Sequence, residues 1–216
     1  MKGTKLGVNS QPSYFYVQSM APPGDLGMPR AAIESILRKK NISSFGQSSG
    51  LYWLETCFCH SGTNGLIATG HDVAVKTPSE AQIRPPDAIT CWLNDPGNYA
   101  ILKQTRDIDP NQYMGNEIPQ WGTLALQEMF GVQARFTWDH VFQNIVNTVS
   151  AGNAVVFAID KPQHFECFIA YDETTSELIY VDPAPYRSPT DWWHRRMNEA
   201  EYNSTTQPFS IIIPAA

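Results

Sequence analysis

His164 directly follows Pro162-Gln163 at the entry to an apolar segment, and Asp182 directly precedes Pro183 at the exit of the next one. The polar stretch Asp172–Glu177 between the segments predicts a hairpin turn. A hairpin folds its outer ends together, so His164 and Asp182 are expected at one end of a sheet. A carboxylate beside an imidazole fixes the ring's tautomer and leaves its other nitrogen free to act as a general base. A plainer reading stays open: a His at a strand edge and an Asp that starts an Asp-Pro turn. Nucleophilic or metal chemistry would draw on Cys57, Cys59, Cys91 and Cys167. Cys91 reads as a core residue of a short apolar helix, and Cys167 as packing within a strand. Cys57, Cys59, His60 and His71 raise a zinc reading, but Cys-x-Cys-His is cramped beside the usual Cys-x-x-Cys spacing. No metal or other cofactor is expected.

The elements that must position these residues follow from periodicity. Residues 1–12 read as a loose polar arm and Tyr14–Val17 as a short strand. Ala31, Ile33, Ile36 and Leu37 read as one helical stripe. From Gly46 to Pro86 the pattern is mixed, with no clear element. Ala88–Leu93 predicts a short helix ended by Asn94-Asp95-Pro96-Gly97. Trp121, Leu124, Ala125 and Met129 predict a helix stopped by Gly131. Val132–Phe136 alternates like a strand. Asp139 is placed to cap a helix whose Phe142, Ile145, Val146 and Val149 share one face, with Gly152 at its end. Ala154–Ile159 predicts a buried strand, Phe165–Tyr171 and Leu178–Val181 the hairpin, and Phe209–Ile213 a last strand. The class is α+β, with helices first and a largely antiparallel sheet after them.

Three segments, Gly152–Phe157, His164–Asp172 and Leu178–Pro183, together resemble the bacteriocin-processing-peptidase-like branch of the papain-like cysteine peptidases. The likeness covers about residues 120–187 and includes Phe130-Gly131-Val132. It implies a papain-like fold over residues 1–216 as a single domain, with residues 68–120 an insertion or lid. It also implies a thiol hydrolase acting on a peptide or related amide bond, with His164 as base and Asp182 as its orienting partner. Such an enzyme needs a cysteine upstream at a helix N-terminus, where the dipole favours thiolate, and a Gln side chain to help bind the oxyanion. Cys59 is the preferred nucleophile, because Ser61, Gly62, Thr63, Leu66 and Ile67 follow it as small and then apolar residues. Cys57 is the alternative, and Gln47 the oxyanion donor. Gly62 and Gly65 make a weak helix there. A second register takes Gln18 as the donor and puts the nucleophile position near Gly27, where no thiol stands. In that register the chain is an inactive relative that binds a peptide or protein, in a bacterial or phage accessory role. A structural or assembly protein is the third reading.

Composition bounds these options. The chain has 216 residues, 42% of them hydrophobic, which is enough for a substantial core. A net charge of −6 and no basic run beyond Arg38-Lys39-Lys40 and Arg195-Arg196 argue against a nucleic-acid partner. Both short groups, and the Trp192–Met197 segment that contains the second, read as solvated or amphipathic cover. Gly62-Thr63-Asn64-Gly65 reads as a turn and not a phosphate loop, and Asp107-Ile108-Asp109 lacks the other ligands of a calcium loop. No apolar run reaches membrane-span length and no signal-peptide core follows Met1, so a cytoplasmic or otherwise non-Sec-exported protein with reduced thiols is expected.

Overall fold

A computed structural model describes residues 1–4, 57–76, 82–83, 85–94, 118–160, 164–184 and 193–216. Its elements are β1 (Lys2–Gly3), α1 (Cys57–Thr69), β2 (Val75–Lys76), β3 (Gln82–Ile83), α2 (Pro85–Asn94), α3 (Ile118–Phe130) and β4 (Arg135–Thr137). They continue with α4 (Phe142–Ser150), β5 (Ala154–Ile159), β6 (His164–Asp172), β7 (Glu177–Val181), β8 (Arg195–Met197), α5 (Glu199–Thr205) and β9 (Thr206–Ile213). The class is α+β, as the sequence predicts. Tyr14–Val17, the Ala31–Leu37 stripe, Gln18, Gly27 and Gln47 lie outside the described residues.

One antiparallel sheet runs β4-β9-β5-β6-β7-β8, with β1 also paired to β6. β5 is apolar along its whole length because both of its faces are covered. Ala154 and Val156 join Cys167, Ile169, Val181, Ile211 and Ile213 in a core shared with α1, α2 and α3. Val155 and Phe157 join Phe168, Leu178 and Tyr180 in a second core, closed by Val149 of α4 and Tyr202 of α5. Helices thus cover both faces, where the sequence reading packed N-terminal helices on the sheet.

The segments with clear helical periodicity fold as read, whereas the strand read at Val132–Phe136 is β4, Arg135–Thr137. Trp121, Leu124 and Ala125 are buried on α3, and Gly131 ends that helix at φ 64°, its N–H donating to Gln127 O at 3.0 Å. On α4, Phe142, Ile145, Val146 and Val149 form the buried face. Its cap differs from expectation. Val141 is the N-cap without a side-chain bond, and Asp139 instead accepts from Val141 N and the Asn144 amide. The first residues are not a loose arm either. Lys2 and Gly3 pair with Tyr171 and Ala170, and Thr4 N donates to Ile169 O.

The largest difference is α1, a helix of thirteen residues in a stretch that reads as glycine-broken and mixed. Periodicity fails there because twelve of the thirteen residues are buried, so no polar face alternates with an apolar one. Gly65 stands where a Cβ would lie 2.6 Å from Ile213 Cδ1 and 3.2 Å from Cys167 Sγ. The glycine that weakens the helix is what lets it dock on β6 and β9. Gly62-Thr63-Asn64-Gly65 is therefore helix and not a turn. α2 packs against α1 and α3, with Ile89 and Leu93 in their shared core. The described part of residues 68–120 thus contributes to the main packing.

Gly122 of α3 is the tightest approach to α1, since a Cβ there would fall 2.0 Å from Phe58 Cζ. Alanine would gain about 1 kcal/mol of helix propensity. It would also displace the buried Phe58 ring, costing about 1–3 kcal/mol or more as overpacking does. Gly122→Ala should therefore lower the urea midpoint; an unchanged or raised midpoint would contradict this packing.

Candidate active site

β5 ends where β6 begins, with Ile159 opposite His164, and β9 starts beside them with Thr206 opposite Ile159. β7 runs antiparallel to β6 and leaves the sheet at Asp182, one step beyond the pair Cys167–Val181. The hairpin therefore delivers His164 and Asp182 to one end of the sheet. His164 Nε2 and Asp182 Oδ1 lie 2.7 Å apart, and the two side chains are 5% and 0% exposed. With the carboxylate ionised, Nε2–H donates and Nδ1 is left as the basic nitrogen.

The turn role read for Asp182 is also present, since Ala184 N donates to the same Oδ1 at 2.9 Å. The plain and the chemical readings are thus not alternatives: one oxygen starts the turn and orients the ring. The second oxygen, Oδ2, accepts from Arg195 Nη1 at 2.9 Å. β8 pairs Arg195 with Tyr180 and places the guanidinium 5.4 Å from that ring's centroid. Arg195-Arg196 is therefore more than solvated cover. The two residues lie on a strand, and Arg196 turns to Asp172, Thr175 and Glu177 at the hairpin tip.

Glu166 follows His164 by two residues, so strand alternation puts it on the same face. It is buried, and ligating atoms of His164, Glu166 and Asp182 all lie within 4.8 Å of one another. Burial works against the charge of Arg195, but Tyr180, Asp182 and Glu166 more than offset it, so its pKa is raised. Burial, with Glu166 and Asp182 adding, also pushes the Tyr180 phenol up, while Arg195 opposes. Sequence reasoning missed both Glu166 and Arg195. The His-x-Glu period was a usable signal for the first; nothing local marks the second.

Among the cysteines, Cys57 is the first residue of α1 and a free thiol. Burial pushes this thiol up to about 11, with backbone interactions led by that of Phe165 pulling the other way and Glu166 adding to the rise. Phe165 is the residue after His164, and Ser61, one turn along from Cys57, donates its hydroxyl to Phe165 O at 2.8 Å. Cys57, Ser61 and Gly65 thus form the face that docks on β6. Cys59 lies about 200° round the helix from Cys57 and belongs to the core cluster with Phe58 and Leu66. Cys91 falls on α2. Cys167 packs in the core, where burial drives its pKa far above the ordinary thiol range.

The zinc quartet is not brought together. His71 lies beyond the far end of α1, about 20 Å along the axis from Cys57, and its Nε2 is 2.8 Å from Pro214 O. Among the described residues, the one group spaced to hold a metal ion is His164, Glu166 and Asp182. Both Asp182 oxygens already accept from donors in that group's surroundings.

A thiol on the first residue of a sheet-docked helix, beside strands that join a His to an Asp, defines a papain-like cysteine-peptidase class of fold. The model of the Peptidase_C39 like family matches residues 88–208, and the chain belongs to this family. The matched segment takes in His164, Glu166, Asp182 and Arg195 and begins beyond α1. No curated protein matches the chain. Membership implies a peptide-directed protein. Among the described residues, no helix is long and apolar enough to cross a membrane.

Proposed function

We propose that this chain is a cysteine peptidase in which Cys57 attacks, His164 transfers the proton and Asp182 holds the ring. The observation that carries the assignment is the seat of Cys57 at the start of α1, against the backbone of the residue that follows His164. Cys59, favoured by sequence, projects from the opposite side of the helix, so this reading takes the alternative, Cys57, as the nucleophile.

The first turn of α1 presents backbone N–H groups and the positive end of the helix dipole to the thiol and to a developing oxyanion. Because burial keeps the Cys57 thiol neutral at rest, its proton passes to His164 Nδ1 as sulfur attacks the peptide carbonyl carbon. The imidazolium then protonates the leaving amine. Water, deprotonated by the same nitrogen, cleaves the acyl-enzyme and restores the thiol. Gln47 or Gln18, outside the described residues, is the side-chain oxyanion donor in this reading.

Iodoacetamide labelling with peptide mapping, run beside a peptide-cleavage screen, tests the assignment. Below a thiol pKa of about 11, the thiolate fraction rises about tenfold per pH unit. Labelling should therefore reach Cys57 before Cys59, accelerate up to that pH, and slow at neutral pH in His164→Ala. Labelling of Cys59 first, or a rate indifferent to His164, would sink it. The buried thiol favours a second reading, a peptide-binding relative without turnover. That protein would hold peptides from the screen uncut, at equal affinity with or without Cys57.

A further inference from the structure

We propose that Arg195 is a positioning residue of this site, locking Asp182 from the side opposite His164 and offsetting the charge of Glu166. The proposal rests on the peptidase reading and extends it to a residue on a strand outside the hairpin.

Asp182 shares its oxygens unequally. Oδ1 accepts from His164 Nε2 and Ala184 N, and Oδ2 accepts from Arg195 Nη1. With only Oδ1 held, the carboxylate could turn about its Cα–Cβ and Cβ–Cγ bonds and carry the imidazole with it. Arg195 removes that freedom by fixing the second oxygen. The guanidinium is itself held, by the β7–β8 register opposite Tyr180 and by the face of that ring. It is 30% exposed, whereas the carboxylate it binds is wholly buried. Partial hydration lowers the cost of the cation, and the planar fork suits a carboxylate better than an ammonium would.

The second task follows from the neighbouring carboxylate. Glu166 and Asp182 are both buried, with oxygens inside the same 4.8 Å group. Two carboxylates this close in a dry setting repel, and a cation between strand and turn offsets them. Arg196 supplies an internal control. It stands on the same strand with the same charge but faces the hairpin tip.

The experiment compares Arg195→Met, Arg195→Lys, Arg196→Met and the double variant Arg195→Met/Glu166→Gln, using peptide kinetics and nitrogen NMR of the His164 ring. Arg195→Met should lower kcat about tenfold or more, the range seen when outer partners of a metal-ligating imidazole are removed, with KM unchanged. Its ring signals should shift from a single tautomer to a mixture. Arg195→Lys and the double variant should each recover part of kcat, and Arg196→Met should match the unsubstituted protein. Arg195→Met with the kinetics and ring signals of Arg196→Met would overturn the proposal. If the unsubstituted protein cleaves nothing, the peptidase reading fails alone and the ring signals still decide on Arg195. Should Arg195→Met not fold, Arg195→Lys decides: shifted ring signals support the lock and unchanged ones refute it.

Discussion

Cys57→Ala should reduce peptide hydrolysis by at least about a thousandfold, as removal of a catalytic nucleophile does, while Cys59→Ala leaves kcat within about threefold of normal, a difference too small to implicate the reacting group. The contrast follows from helical geometry. Ser61 donates to the Phe165 carbonyl and Gly65 leaves no room for a Cβ against Ile213 and the Cys167 sulfur, which together fix the rotation of the helix. That rotation sets residue 57 against the Phe165 backbone and residue 59 into the cluster of Phe58, Leu66 and Trp121. Cys59→Ala should register as lost stability instead, about 1 kcal/mol for a small buried truncation. Parallel kcat and urea measurements on the two variants check this. Loss of turnover in Cys59→Ala with Cys57→Ala active would reverse the assignment.

Asp182→Ala carries the second large effect, and it should strike stability and turnover together. The carboxylate is wholly buried and accepts from His164, Ala184 and Arg195. Its removal leaves a guanidinium and an imidazole without their acceptor, and breaking a buried ion pair from one side costs about 3–5 kcal/mol. The imidazole also loses the contact that sets its tautomer, so kcat should fall by about 10² or more, by analogy with the larger loss when a triad carboxylate is replaced. Asp182→Asn separates the two roles. Its carbonyl oxygen can still accept from His164 and Ala184, but its NH2 then meets Arg195 donor to donor. It should keep more turnover than Asp182→Ala while losing the stabilisation Arg195 provides. Urea unfolding of both variants beside kcat tests the division; equal losses in both properties would show that Asp182 does not split its oxygens between His164 and Arg195.

Legibility in the sequence tracked how much of an element's surroundings was water. α4 was readable because one face meets the core and the other meets solvent, so Phe142, Ile145, Val146 and Val149 recur at helical spacing. The β6–β7 hairpin was readable from two apolar runs around a polar turn. In that turn Asp172, taking bonds from Thr174 and Arg196, is held at a pKa of about 2. α1 was illegible for the opposite reason. Protein surrounds nearly all of it, so polar His60, Ser61, Thr63 and Asn64 are buried beside Phe58 and Leu66. Its glycines answer to neighbours far away in the chain and not to helix propensity.

His164 and Asp182 could be paired from sequence because a hairpin is local. Once the turn lies between them, antiparallel pairing brings the two strand ends together whatever the rest of the chain does. The seat of each thiol could not be read, because the rotation of α1 is set by contacts with Phe165, Cys167 and Ile213. Arg195 was hidden in the same way. Its place beside Asp182 depends on β8 joining β7 in one register, and the other register of an alternating strand would have turned its guanidinium to the opposite face. The sequence by itself determined that His164 and Asp182 meet; the docking of one helix and one edge strand decided what packs around them.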